Sequence, residues 1–209
     1  FMMRVQVRRH ADLAVVWTGA DVATDQGDVV ARLTSQIAGG TELIVPMGER
    51  ADPRAAQFGN HVGTEPVGVL AWEATRIASG IPRIGLDTDT RTIPNEIGLY
   101  ATHLDKGCYR GQETVARVHN LGRPPRRLTM LMLDGSDAEL PDPGSSVILE
   151  GRKVGQLGGV AMHHELGPVG LALLKRNVSV DSVLTVDGVA ASQTILVDPE
   201  VGLHVRPQL

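Results

Sequence analysis

From Arg126 onward the chain carries six short apolar runs, "LTMLML", "SSVILEG", "KVGQLGGVA", "GPVGLALLK", "VLTVDG" and "VAASQTILV". Each is strand length, and each is bounded by turn residues. "EGRK" and "DGVA" have the form of two-residue hairpin turns, which join neighbouring antiparallel strands. Roughly eighty residues of this kind cannot form a helical bundle and predict a small closed or nearly closed antiparallel barrel. Aromatic residues are only 3% of the chain, so Ala, Val, Leu and Ile must fill its core. The glycines of "GQLGGV" lack the strand–loop–helix setting of a phosphate cradle and read as bends within a strand.

The preceding part mixes helix and strand, so the whole is α+β. Met3 to Val7, Leu13 to Thr18 and "TELIVP" from Thr41 read as strands, the last stopped by Pro46. Val29 to Ala38 reads as a short helix, and "GERADPRAAQFGN" as loop with room for another. "PVGVLAWEATRIASGIP" is a clear helix, with Val69, Trp72, Ile77 and the alanines on an apolar face. Glu73 and Arg76, three apart, can pair along it, and Gly80 and Pro82 end it. In the irregular stretch "RIGLDTDTRTIPNEIG", Asp87 and Asp89 fit turn-forming residues better than a metal-binding pair. "GQETVARVHNLG" is a second helix with Val115, Val118 and Leu121 as its buried stripe. "RPPRR" then breaks the pattern, dividing a domain over 1–122 from the barrel over 123–209.

No apolar run reaches the ~18 residues that span a bilayer, and "FMMRVQVRRH" has no hydrophobic signal core. A strand pattern from the first residue suggests a part of a longer protein. With a single cysteine there is no internal disulfide and no Cys-rich zinc site; the expected location is a reducing cytoplasm. The net charge of −4 excludes a general polyanion binder. Yet Lys106 to Arg127 holds six Lys/Arg against one Glu. That run is either a solvated helix face or a local anion-binding patch.

The one cysteine, Cys108, lies in this run, in "KGCYRGQETVAR". It precedes a helix start, whose unpaired amides favour an anion. Lys106 and Arg110 add positive potential, and all three favour the thiolate. Gly107 and Gly111 allow a sharp turn or the close approach of a ligand. A functional thiol and a simple free cysteine are both open on this evidence. His119 is the nearest imidazole, but nothing fixes it beside the sulfur and no third orienting group follows. His163 and His164 are adjacent rather than at a helical metal-binding spacing.

"KGCYRGQETVAR", with "RIASGIPRIG" and "TIPNEIG" before it, resembles the YgfZ family, relatives of the glycine cleavage T-protein. The likeness runs from about Trp72 to the end. It implies a T-protein-like folate-binding core followed by a small C-terminal β-barrel around a central cavity, with tetrahydrofolate or a derivative as cofactor. The implied role is an accessory protein, not an enzyme, that maintains iron–sulfur enzymes of tRNA modification, with those enzymes and tRNA as partners and no membrane. By motif position the functional thiol is Cys108. The implied cofactor-binding residues are Lys106, Gly107, Tyr109, Gly111, Gln112, Glu113, Arg76 and Arg117. The resemblance implies a glutamate, which in the T-protein bonds the pterin ring, where this chain has Ala78. The alternatives are a tetrahydrofolate-dependent aminomethyltransferase, whose catalytic acid is not visible here, and an RNA-binding module. One Tyr in the basic run makes the last a poor stacking platform.

Overall fold

The computed structural model describes residues 8–19, 29–46, 67–99, 107–121, 124–136 and 139–200. The strand expected at Met3 to Val7, the segment "GERADPRAAQFGN" and Lys106 lie outside these residues. The chain forms two compact units, Phe1–Trp72 and Glu73–Leu209.

In the first unit, β1 (Leu13–Thr18), β2 (Ala31–Thr34) and β3 (Thr41–Pro46) form an antiparallel sheet in the order β1-β3-β2. Along β3 the side chains alternate, and Leu43 and Val45 pack against Ala14, Val16 and Val29. This is the period-2 pattern of a strand with one buried face. The helix expected over Val29 to Ala38 is instead a strand and a turn. Val29, Leu33 and Ile37 recur every four residues and imitate a helical face, but Leu33 is 51% exposed while Ile37 is buried. Turn chemistry overrides the spacing: Ala38 and Gly39 both take positive φ (47° and 66°), and the Ser35 hydroxyl accepts from the Ile37 amide. Gly40 is required there, since a Cβ would lie 2.6 Å from the Thr18 carbonyl oxygen.

The second unit contains all six expected barrel strands: β4 (Arg126–Leu133), β5 (Ser146–Leu149), β6 (Arg152–His163), β7 (Gly167–Lys175), β8 (Leu184–Val186) and β9 (Val189–Ile195). They close in the order β4-β7-β6-β5-β8-β9, with β9 pairing back onto β4. Both expected hairpin turns are present. Glu150 and Gly151 (φ 50° and 75°), and Asp187 and Gly188 (φ 48° and 86°), adopt the paired left-handed conformations that match strand twist. The "GQLGGV" glycines are a bend, as expected: the β6–β7 register shifts between Leu157 and Val160.

The barrel buries apolar side chains on both faces. Leu131, Val147, Leu157, Leu174 and Leu184 fill one core cluster. Leu128, Val169, Leu171 and Leu173 form a second cluster with Ala74 and Ile77 of helix α1 (Val69–Ala78). Val69, expected on the buried face of that helix, is 69% exposed. A short 3-10 helix (Pro94–Ile97) follows in the irregular stretch, and helix α2 (Gln112–Leu121) comes next. Val115 and Val118 are its buried stripe.

Arg127 is 1% exposed and meets no carboxylate among the described residues. It donates to the Thr129 hydroxyl, to the Val178 carbonyl and to Gln193 Oε1, while its Nε has no partner. Burial pushes this guanidinium's pKa down. Gln193 in turn donates to the Ser179 and Ser182 carbonyls, tying the loop before β8 to β4.

Candidate functional site

Cys108 is exposed, four residues before the helix it was expected to precede. The turn between them is built by two residues of the motif. Gly111 sits at φ 84°, a conformation open to glycine and strained for other residues, although a Cβ there would meet nothing within 4 Å. Gln112 closes the turn: its Oε1 accepts from the Tyr109 amide at 3.1 Å, and its own amide donates to the Tyr109 carbonyl. The amides of Thr114 and Val115 then donate to the Gly111 carbonyl, starting α2. The segment 108–114 encloses an open depression of about 490 Å³. Cys108, Arg110, Gly111 and Glu113 are exposed in it, and Tyr109 and Gln112 are half-buried. Gly107 and Arg117 are exposed as well. Arg110 and Arg117 have no carboxylate partner among the described residues. Lys106, the first motif residue, lies outside them.

Arg76, expected among the cofactor-binding residues, is bonded within the fold. It is 2% exposed and its guanidinium is committed to the fold. Nε and Nη2 donate to Glu73 Oε2 at 3.0 and 2.7 Å, and Nη1 donates to Asp87 Oδ2 at 2.9 Å and to the Ile81 carbonyl. Glu73, the expected helix partner, also pairs with Arg83. It is therefore held by two arginines; Ala78 is half-buried.

Two residues that sequence reasoning took as turn formers carry more than turns. Asp87 is 4% exposed. Besides Arg76, it accepts from the Arg83 amide at 2.7 Å and, across the unit, from the Gly159 amide at 2.6 Å. The sequence signal was the glycine pair of "GQLGGV": a Cβ on Gly158 would lie 2.8 Å from the Asp87 Cα. Asp89 does make a turn, accepting from the Arg91 amide and the Thr92 hydroxyl. It also receives two bonds from Arg126 at the start of β4, at 2.7 and 3.1 Å. Arg126 reaches buried Glu96 through Nε and Nη2 at 2.9 and 2.8 Å. These bonds hold the Asp89 carboxyl well below the usual carboxylate range and raise the Arg126 pKa.

His163 and His164 are stacked, with centroids 4.4 Å apart. His163 Nδ1 accepts from the Glu165 and Leu166 amides and so shapes the β6–β7 turn. No described helix is long and apolar enough to cross a membrane.

Comparison with known proteins agrees with the barrel. The family described as the CAF17 C-terminal beta-barrel domain matches residues 126–196. A chloroplastic "putative transferase" of Arabidopsis thaliana is 38% identical over 46% of this chain and 21% of its own length. The tRNA-modifying protein YgfZ of Colwellia psychrerythraea is 36% identical over 37% of this chain and 24% of its own length. That of Edwardsiella ictaluri is 34% identical over 60% of this chain and 39% of its own length. The matched part thus spans between about a fifth and two fifths of these relatives. The chain is therefore similar over part of its length to YgfZ proteins, and its barrel matches the C-terminal barrel of the CAF17 family.

Proposed function

We propose that this chain acts in tRNA modification as a folate-binding accessory protein, with a T-protein-like core, that maintains iron–sulfur enzymes through the Cys108 thiol. The observation that carries this reading is the placement of Cys108: exposed, on a glycine-shaped turn, at the lip of an open depression. A cysteine kept for packing would be sealed among apolar side chains. Exposed Arg110 in the same depression, with exposed Arg117 further along α2, supplies positive charge suited to the carboxylates of a folate tail or to tRNA phosphates.

The test is Cys108→Ala in cells that depend on this protein, reading thiomethylated nucleosides in tRNA by mass spectrometry. The expected result is loss of the modification with an unchanged urea midpoint for the purified variant. Normal modification in the variant strain overturns the role of the thiol. Calorimetry with tetrahydrofolate tests the cofactor separately.

A further inference from the structure

We propose that the face of the barrel beneath residues 86–89 is a second ligand site, taking a small molecule with an apolar body and a terminal carboxylate or phosphate. A cavity of about 420 Å³ lies there, between the 86–89 loop and strands β6 and β7. That size is in the range of small-molecule sites. None of the residues 107–113 lines it.

Its lining has two parts. Leu86, Leu157 and Leu173 provide apolar surface. Around them stand Arg126, Lys153 and Lys175, with Asp87 and Asp89, whose carboxylates are bonded to Arg76 and Arg126. Sheet register brings two of these cations together, and Lys153 lines the same cavity from β6. Arg126 pairs directly across from Lys175 on β4 and β7. Like charges placed opposite one another in a sheet repel. Arg126 is matched by Asp89 and Glu96. Lys153 and Lys175 are exposed and have no carboxylate partner among the described residues. An anion in the cavity is attracted by both ammonium groups and offsets the repulsion between Arg126 and Lys175, and the apolar wall takes the rest of the ligand.

The cavity is also preformed. Its loop is clamped by buried Asp87, whose bond to the Gly159 amide ties the loop to the β6 bulge. On the opposite side a Cβ at Gly155 would lie 2.6 Å from the Leu173 carbonyl oxygen, so β6 and β7 are packed as closely as glycine allows. A wall fixed in this way loses little freedom on binding.

The experiment titrates the full chain with 4-phenylbutanoate and with phenyl phosphate, following amide shifts by NMR, with neutral 4-phenylbutanol as control. Saturable shifts centred on Gly155, Gly158 and Leu173 are expected for at least one anionic probe. The stronger probe tells carboxylate from phosphate. Lys153→Gln with Lys175→Gln, both at exposed positions, is expected to weaken that probe at least tenfold, and the alcohol to bind no better than the double variant binds the anion. Cys108→Ala is expected to leave probe binding unchanged, so the site stands or falls apart from the thiol. Shifts that map elsewhere, no saturation by either anion at 10 mM (about the weak limit for a specific small-ligand site), or equal binding by the double variant overturns the proposal.

Discussion

Asp87→Ala is expected to be the most damaging single polar substitution in the second unit. The wild-type carboxylate accepts three bonds: from Arg76 Nη1 at 2.9 Å, the Arg83 amide at 2.7 Å and the Gly159 amide at 2.6 Å. Removing it leaves Arg76, 2% exposed, with Glu73 and one carbonyl. Breaking a buried ion pair from one side costs about 3–5 kcal/mol. Glu73 remains, so the lower end applies here. The orphaned Gly159 amide adds about 1–3 kcal/mol. The two losses share one relaxed cavity and do not sum fully, giving about 4 kcal/mol. With a urea slope of about 2 kcal/mol/M, the midpoint falls by about 2 M, read by circular dichroism of the β signal. Asp87→Asn keeps one acceptor without the charge and is expected to lose about half as much. Gly158→Ala, which pushes a Cβ toward Asp87, is expected to cost less in the Asp87→Ala background than alone, because part of the clash is with the missing carboxyl. A midpoint shift below about 0.5 M for Asp87→Ala refutes the view that this carboxylate holds the loop to the barrel.

Other expected outcomes follow from single positions. Glu150→Asn places a residue tolerant of positive φ at the first turn position of β5–β6, before Gly151, and is expected to stabilise by about 0.5–1 kcal/mol in urea unfolding. Arg126 lowers the Asp89 pKa, so the unfolded chain binds that proton more readily. The stabilisation is complete above the ordinary Asp value of about 4 and is lost as pH falls below it. Asp89→Asn is therefore expected to flatten the decline in urea midpoint between pH 6 and pH 3 (a range that brackets that value), by a small amount because Asp89 is half exposed. Parallel profiles for the two proteins contradict this. Ala78→Glu places an acid at the position where the resemblance to the T-protein implies a pterin-bonding glutamate. It is expected to tighten tetrahydrofolate binding by about tenfold or more, the worth of one charged hydrogen bond, as read by calorimetry.

The barrel was legible because each of its signals is local. Strand-length apolar runs and two-residue turns such as Glu150–Gly151 state their geometry within a few positions. The Val29 to Ala38 segment was misread because its four-residue spacing suits a helix, and only the positive φ of Ala38 and Gly39 decides otherwise. Asp87 and Asp89 looked like turn residues because their partners are remote: Gly159 lies 72 positions away and Arg126 37 positions from Asp89. An ion pair across that separation leaves no pattern in a single sequence. The buried side of α1 was legible in part. Ile77 and Ala74 meet the barrel, whereas exposed Val69 has the same hydrophobic signature.

The same remote bonds explain how an exposed thiol can sit on a defined support. Cys108 leads into α2 through the Gly111 and Gln112 turn, and α2 packs beside the 3-10 helix at Pro94–Ile97. Glu96 of that helix is 0% exposed and accepts from the Ile93 amide at its own start. Both of its oxygens also accept from Arg126, the first residue of β4. A planar guanidinium meeting two oxygens fixes orientation as well as distance, which a lysine ammonium does not. The turn that carries the thiol is therefore solvent-facing, while the elements behind it are tied to a closed barrel. Rigid elements behind an exposed side chain limit how far it moves, and Arg126 contributes by tying the 3-10 helix to β4.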